Sequence, residues 1–125
     1  MKFLLDTHIL LWWLANEPKL SSPIRAVISN PDNSIFVSAA TVWEMSIKKS
    51  LGNLSVPNNL LEKLKDNNFI ILDITAEHGL TVTDLPFYHK DPFDRMLIAQ
   101  ATIESLTIIT LDTKFCIYDI PLLID

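Results

Sequence analysis

One cysteine and two glycines among 125 residues already close off several kinds of chemistry for this chain. The lone Cys116 has no second thiol for an internal disulfide or a thiolate metal pair, and is expected to be a small buried hydrophobe. Gly52 and Gly79 cannot write GxGxxG or a Walker loop, so a glycine-rich phosphate cradle is excluded. The three histidines, His8, His78 and His89, lack HxxxH spacing, which argues against structural zinc and against a zinc hydrolase. No GxSxG motif is present, so a serine triad could be assembled only on paper, from Ser38 and scattered partners. Basic charge is short as well: 10 Lys and Arg face 15 Asp and Glu, a net charge of -5, without the basic face that proteins binding polyphosphates usually carry. No apolar run approaches a membrane span. The first one is broken by Asp6 and His8 and has no small-residue cleavage site, so a cytoplasmic protein is expected.

What is present is a core-forming composition, 49% hydrophobic and 20% charged, sized for a single domain over residues 1–125. Strand and helix patterns alternate along the chain. KFLL reads as a strand, HILLWWLA and SSPIRAVIS as helices, and SIFV as a strand. A helix over 38–51 is capped by Ser38 and stopped by Gly52. NLLEKLKD then reads as a helix, FIILDI as a strand, a short helix starts near Thr75, and LPFYHKD is a loop. PFDRMLIAQATIE is a helix, LTIIT a strand, DTKF a turn and IPLLI a last strand. This alternation predicts a three-layer α/β/α sandwich on a mainly parallel sheet. Trp12 and Trp13 are adjacent in the first helix and cannot both face the core, so one is a candidate for a dimer or partner surface, with a partly exposed tryptophan as the plain alternative.

Four acids stand at the edges of apolar segments: Asp6 after KFLL, Glu44 in SAATVWEM, Asp94 in DPFDRMLIAQA and Asp112 after LTIIT. Strands that end in an acid deliver it to one edge of a parallel sheet, where open α/β folds bind ligands. Each acid also has a plainer reading. Asp6 suits a helix cap and Asp112 a turn, while in DPFDR Asp91 fits the cap and Pro92 the first helical position. Asp94 shares its helical face with Leu97, Ile98 and Ala101, which assigns Asp91 mainly to structure and Asp94 mainly to a site. Glu44 resists a capping role because it falls within a stripe of Ala40, Trp43, Ile47 and Leu51. A buried carboxylate there needs a partner, either Lys48 one turn on or a metal ion. Hard oxygen donors favour Mg²⁺ or Mn²⁺, and bound cations would offset the acidic charge toward a phosphate. Lys48, Lys49, His89, Lys90, Arg95 and Lys114 lie near the acids in sequence and are candidates to guide a nucleic-acid backbone, although solvated surface positions explain lysines equally simply.

The segments LLDTH, SAATVWEMSIKKSLGNL, HKDPFDRMLIAQA and TIITLDTKF, in this order, resemble the PIN-domain family, specifically its VapC-type toxins of toxin–antitoxin pairs. The resemblance spans nearly the whole chain. It implies an acidic metal site of Asp6, Glu44, Asp94 and Asp112, with Thr7, Ser38 and Thr110 as polar supports and Asp91 and Arg95 beside the motif. It further implies a Mg²⁺- or Mn²⁺-dependent endoribonuclease that cleaves RNA with metal-activated water, a homodimer, and an antitoxin that itself supplies the binding to operator DNA. Other readings stay open on the residues alone. They are a metal-dependent DNA nuclease, a phosphatase (weakened because His8 stands where a second aspartate is expected) and a non-enzymatic interaction module whose acids are caps.

Overall fold

The computed structural model describes residues 1–125. Its centre is a five-stranded sheet in the order β3-β2-β1-β4-β5, built from β1 (Lys2–Leu5), β2 (Ser34–Ser38), β3 (Ile70–Leu72), β4 (Thr107–Thr110) and β5 (Leu122–Ile124). Every neighbouring pair is parallel, so the expected mainly parallel sheet is wholly parallel. The helices are α1 (Thr7–Leu14), α2 (Ser22–Ser29), α3 (Ala39–Ser50), α4 (Leu60–Asp66), α5 (Ala76–Thr81) and α6 (Pro92–Glu104).

Alternation along the strands divides the core in two, which makes the three layers. Phe3, Leu5, Ile35, Val37 and Ile109 face α1, α2 and α4 through Ile9, Leu10, Ile24, Ile28 and Leu64. Leu4 and Ile108 point the other way, against Leu97, Ile98 and Ala101 of α6. None of the helices is long and apolar enough to cross a membrane.

The local signals for helix ends act as the sequence suggests. Ser38 Oγ accepts from Ala40 N at 3.0 Å, and Gly52 takes φ +74° just beyond α3, a conformation that disfavours any residue with a Cβ. Thr75 and His78 cap α5 reciprocally. The expected strands FIILDI and IPLLI shrink to three residues each, because only those residues meet a hydrogen-bonded neighbour at the sheet edges.

Two expectations are corrected and a third is narrowed. Cys116 is exposed on the turn after β4 and is not a buried hydrophobe. Trp12 and Trp13 both pack half-buried against the first core cluster, Trp13 donating Nε1–H to Asn67 Oδ1 at 3.0 Å, so the plainer alternative to a partner surface, a partly exposed tryptophan, describes them. The tryptophan that stands free is Trp43, 61% exposed. With it falls the proposed stripe on α3. Leu51 is also exposed, and the buried face is Ala40, Thr41, Glu44 and Met45, rotated from the predicted one by about a quarter turn while keeping Glu44 inside.

Candidate metal centre

The chain leaves β1 toward β2 and β3 on one side of the sheet, then returns to place β4 and β5 on the other. The strand order therefore reverses between β1 and β4. Crevices at the carboxyl ends of such strands are where open α/β sheets bind ligands. Asp6 follows β1 and Asp112 follows β4 at that point. A cavity of about 320 Å³ opens there, lined by Asp6, Glu44, Asp91, Asp94 and Asp112 together with Thr7, His8, Lys48 and Leu111. All four candidate acids are thus brought together, from β1, α3, α6 and the end of β4.

Each acid is held by a specific contact. Asp6 does cap α1, accepting from Thr7 N at 2.7 Å, and its other oxygen accepts from the Thr110 hydroxyl at 2.7 Å. Thr7 Oγ1 donates to Glu44 Oε1 at 2.6 Å, tying the start of α1 to α3. Lys48 Nζ reaches Glu44 Oε2 at 2.7 Å, so the ion pair weighed against a site is present and forms part of the cavity wall. Asp112 caps the following turn through Lys114 N at 2.8 Å, and its own N–H is taken by Thr110 Oγ1 at 2.9 Å. Asp91 accepts from Phe93 N and Asp94 N as the cap of α6, and also lines the cavity. Cap and site are therefore compatible roles for one carboxylate. Thr7 and Thr110 support the acids directly, whereas Ser38 is fully buried and serves α3.

Crowding has an electrostatic consequence. Burial, followed by repulsion from Asp6, Asp91, Glu44 and Asp112, raises the Asp94 carboxyl to about 8. Asp6 is also raised, chiefly by burial, against the lowering effect of Thr110 and the Thr7 N–H. Lys48 moves upward through its bond to Glu44. A divalent cation would relieve this repulsion, and the donor set of carboxylate oxygens suits Mg²⁺ or Mn²⁺.

Two basic residues are not where a backbone guide would need them. Arg95 is 5% exposed and turned away from the cavity. Its guanidinium donates to the carbonyls of Val82, Leu85, Pro86 and His89 and to Tyr118 Oη, and lies 4.4 Å from the centre of the Phe87 ring. It organises the loop before α6. His89 is buried too, with Nε2 2.8 Å from Asp94 Oδ2 and 3.6 Å from Asp112 Oδ2. His89, Asp94 and Asp112 each offer an atom within 4.8 Å of the others. The sequence reading passed over this contact, although a histidine two residues before the α6 cap was a signal for it. Lys49, Lys90 and Lys114 are exposed.

A parallel sheet with a cluster of acids at its switch point defines a class, the α/β proteins with a carboxylate-lined cavity at the strand ends. Within it, the PIN domain family model matches residues 3–121, and the chain belongs to the PIN-domain family. Among solved structures it is similar to VapBC2 from Rickettsia felis bound to a promoter DNA fragment, with a TM-score of 0.74 and 18% identity over 98% of each chain. DNA-bound VapBC from Salmonella typhimurium gives a TM-score of 0.67 and 19% identity over 98% of this chain and 97% of that one. A toxin–antitoxin complex from Klebsiella pneumoniae gives 0.64 and 23% over 96% and 94%. At these identities the likeness is one of fold. No curated protein matches by sequence.

Proposed function

We propose that this chain is a Mg²⁺- or Mn²⁺-dependent endoribonuclease of the VapC toxin type, residues 1–125 forming one catalytic domain. The observation that carries the reading is the convergence of Asp6, Glu44, Asp94 and Asp112 on one open cavity whose only lysine or arginine is Lys48. These acids would hold one or two divalent cations, which supply positive charge against a phosphodiester and lower the pKa of water.

The protein's own part is preorganisation. Thr7 and Thr110 fix the Asp6 and Glu44 carboxylates before any ligand arrives, so binding requires little rearrangement of side chains. The reaction is a hydrolysis in which a water oxygen bonds to phosphorus as the P–O3′ bond breaks. The products carry a 5′-phosphate and a 3′-hydroxyl, the departing oxygen taking up a proton.

An antitoxin is the proposed partner, as in the VapBC and toxin–antitoxin complexes of similar fold. The net charge of -5 fits a division of labour in which that partner contacts operator DNA. The exposed Trp43, Leu80 and Phe87 give apolar surface for the antitoxin or for the second copy of a homodimer. The proposed location is the cytoplasm.

The test offers purified protein with Mn²⁺ a single-stranded RNA, a DNA of the same sequence and a small phosphomonoester. RNA alone should be cut, leaving 5′-phosphate ends, with activity abolished by EDTA and by Asp94→Asn. Cleavage of the DNA or the monoester with RNA left intact would overturn the assignment.

A further inference from the structure

His89 is the one imidazole in contact with the acids, and its hydrogen bonds say which nitrogen carries the proton. The backbone N–H of Asp91 donates to His89 Nδ1 at 3.2 Å. A backbone amide always brings its own hydrogen, so Nδ1 must be the bare acceptor, and the ring proton of a neutral histidine sits on Nε2. Nε2 is the atom beside Asp94 and Asp112. A nitrogen that bears a proton has no lone pair for a cation, so the cluster of His89, Asp94 and Asp112 is not a nitrogen–oxygen ligand triad as it stands.

Position agrees with this. The residues facing the cavity include Asp94 and Asp112 but not His89, which lies behind them at 8% exposure. The Nε2–H also points off the line to Asp94 Oδ2. The contact is close, yet it falls short of a well-aligned hydrogen bond, and no other acceptor takes the proton. A buried donor in this state is held by its surroundings. Tyr118 Oη accepts from the His89 N–H at 3.0 Å and donates to Pro86 O at 2.9 Å, while Arg95 grips the His89 carbonyl. Phe115 packs edge-on against the ring.

We propose that His89 is a positioning residue, held as the Nε2–H tautomer by the Asp91 N–H, that keeps one oxygen of Asp94 beside its Nε2 and so leaves the other Asp94 oxygen to face the cation. The inference rests on the metal-site reading above and assigns the site an all-oxygen inner sphere. Outer groups that orient metal ligands typically change affinity 10–100-fold when removed.

Three measurements on the full chain test it. Side-chain ¹⁵N NMR of the metal-free protein should show Nε2 protonated and Nδ1 bare. Pulsed EPR of the Mn²⁺ complex should lack the strong ¹⁴N coupling of a directly bound imidazole. Calorimetry should give His89→Ala about a tenfold weaker Mn²⁺ affinity, with most of the loss recovered in His89→Gln, whose amide can donate from a similar position. A protonated Nδ1, a strong ¹⁴N coupling in the wild type, or an unchanged affinity in His89→Ala would each overturn the proposal while leaving the nuclease reading intact. Failure of the wild type to bind Mn²⁺ at all would remove both. The NMR and EPR arms use the wild type, so they decide the matter even if His89→Ala does not fold.

Discussion

Asp94 shows how a carboxylate crowded into a cavity of acids becomes a liability to the fold. Its carboxyl titrates near 8 when folded against 3.8 in the unfolded chain, so between these values the folded protein holds a proton that the unfolded one has released. Stability from this group is therefore complete below about pH 3.8 and falls as pH rises toward 8. Asp94→Asn, which keeps the shape and removes the charge, should raise the melting temperature of metal-free protein at pH 8 by roughly 3–8 °C, as expected for 1–2 kcal/mol of relieved repulsion. The gain should vanish near pH 4, and thermal scans of both proteins at the two pH values check it. If the variant unfolds at both, Asp94 is a structural residue. At this scale the sequence was informative where one residue type had two uses. DPFDR announced a cap at Asp91, which is present, and set Asp94 apart from it; Asp94 lines the cavity, but that Asp91 faces it too could not be read from helix chemistry.

Among the elements, α6 and the loop before it carry most of the site's rigidity. The Asp91 carboxylate takes two amides at the start of α6, and Asp91→Ala should cost about 1 kcal/mol, seen as a lower urea midpoint. Arg95 bonds four carbonyls and Tyr118 Oη with no carboxylate partner, so Arg95→Lys, which lacks the planar fork, should lose more, upwards of about 2 kcal/mol. Limited proteolysis should then cut within residues 82–90 before the rest of the chain. The limits of reading elements from sequence appear in α3. Periodicity placed Glu44 on a buried face, which is right, but it took Trp43 and Leu51 as companions, and both are exposed. Hydrophobicity records what a residue can bury, whereas the direction a helix faces is set by what packs against it. For α3 those neighbours are β2, which directly precedes it, and α6, which lies far along the chain.

For the whole molecule the decisive feature is that four acids from distant segments share one cavity, so that the proposed cation binding would be coupled to protons. At pH 7 Asp94 is protonated, so Mg²⁺ or Mn²⁺ binding should release about one proton per chain, measurable by calorimetry in two buffers of different ionisation enthalpy. A cation at about 100 times its dissociation constant should add about 2.7 kcal/mol to stability, and EDTA should take it away. An unchanged melting temperature with and without Mn²⁺ would speak against a cation site here. By itself the sequence determined the layered α/β class, most element boundaries and the identity of the acids, because periodicity, caps and strand-end positions are local properties of the chain. Tertiary structure alone decided the strand order, the pairing of Thr7 with Glu44 and of Thr110 with Asp6, the burial of Arg95, and the contact of His89 with Asp94. Those depend on which distant segments become neighbours, and the energy of a buried charge is fixed by its neighbours in space rather than in sequence.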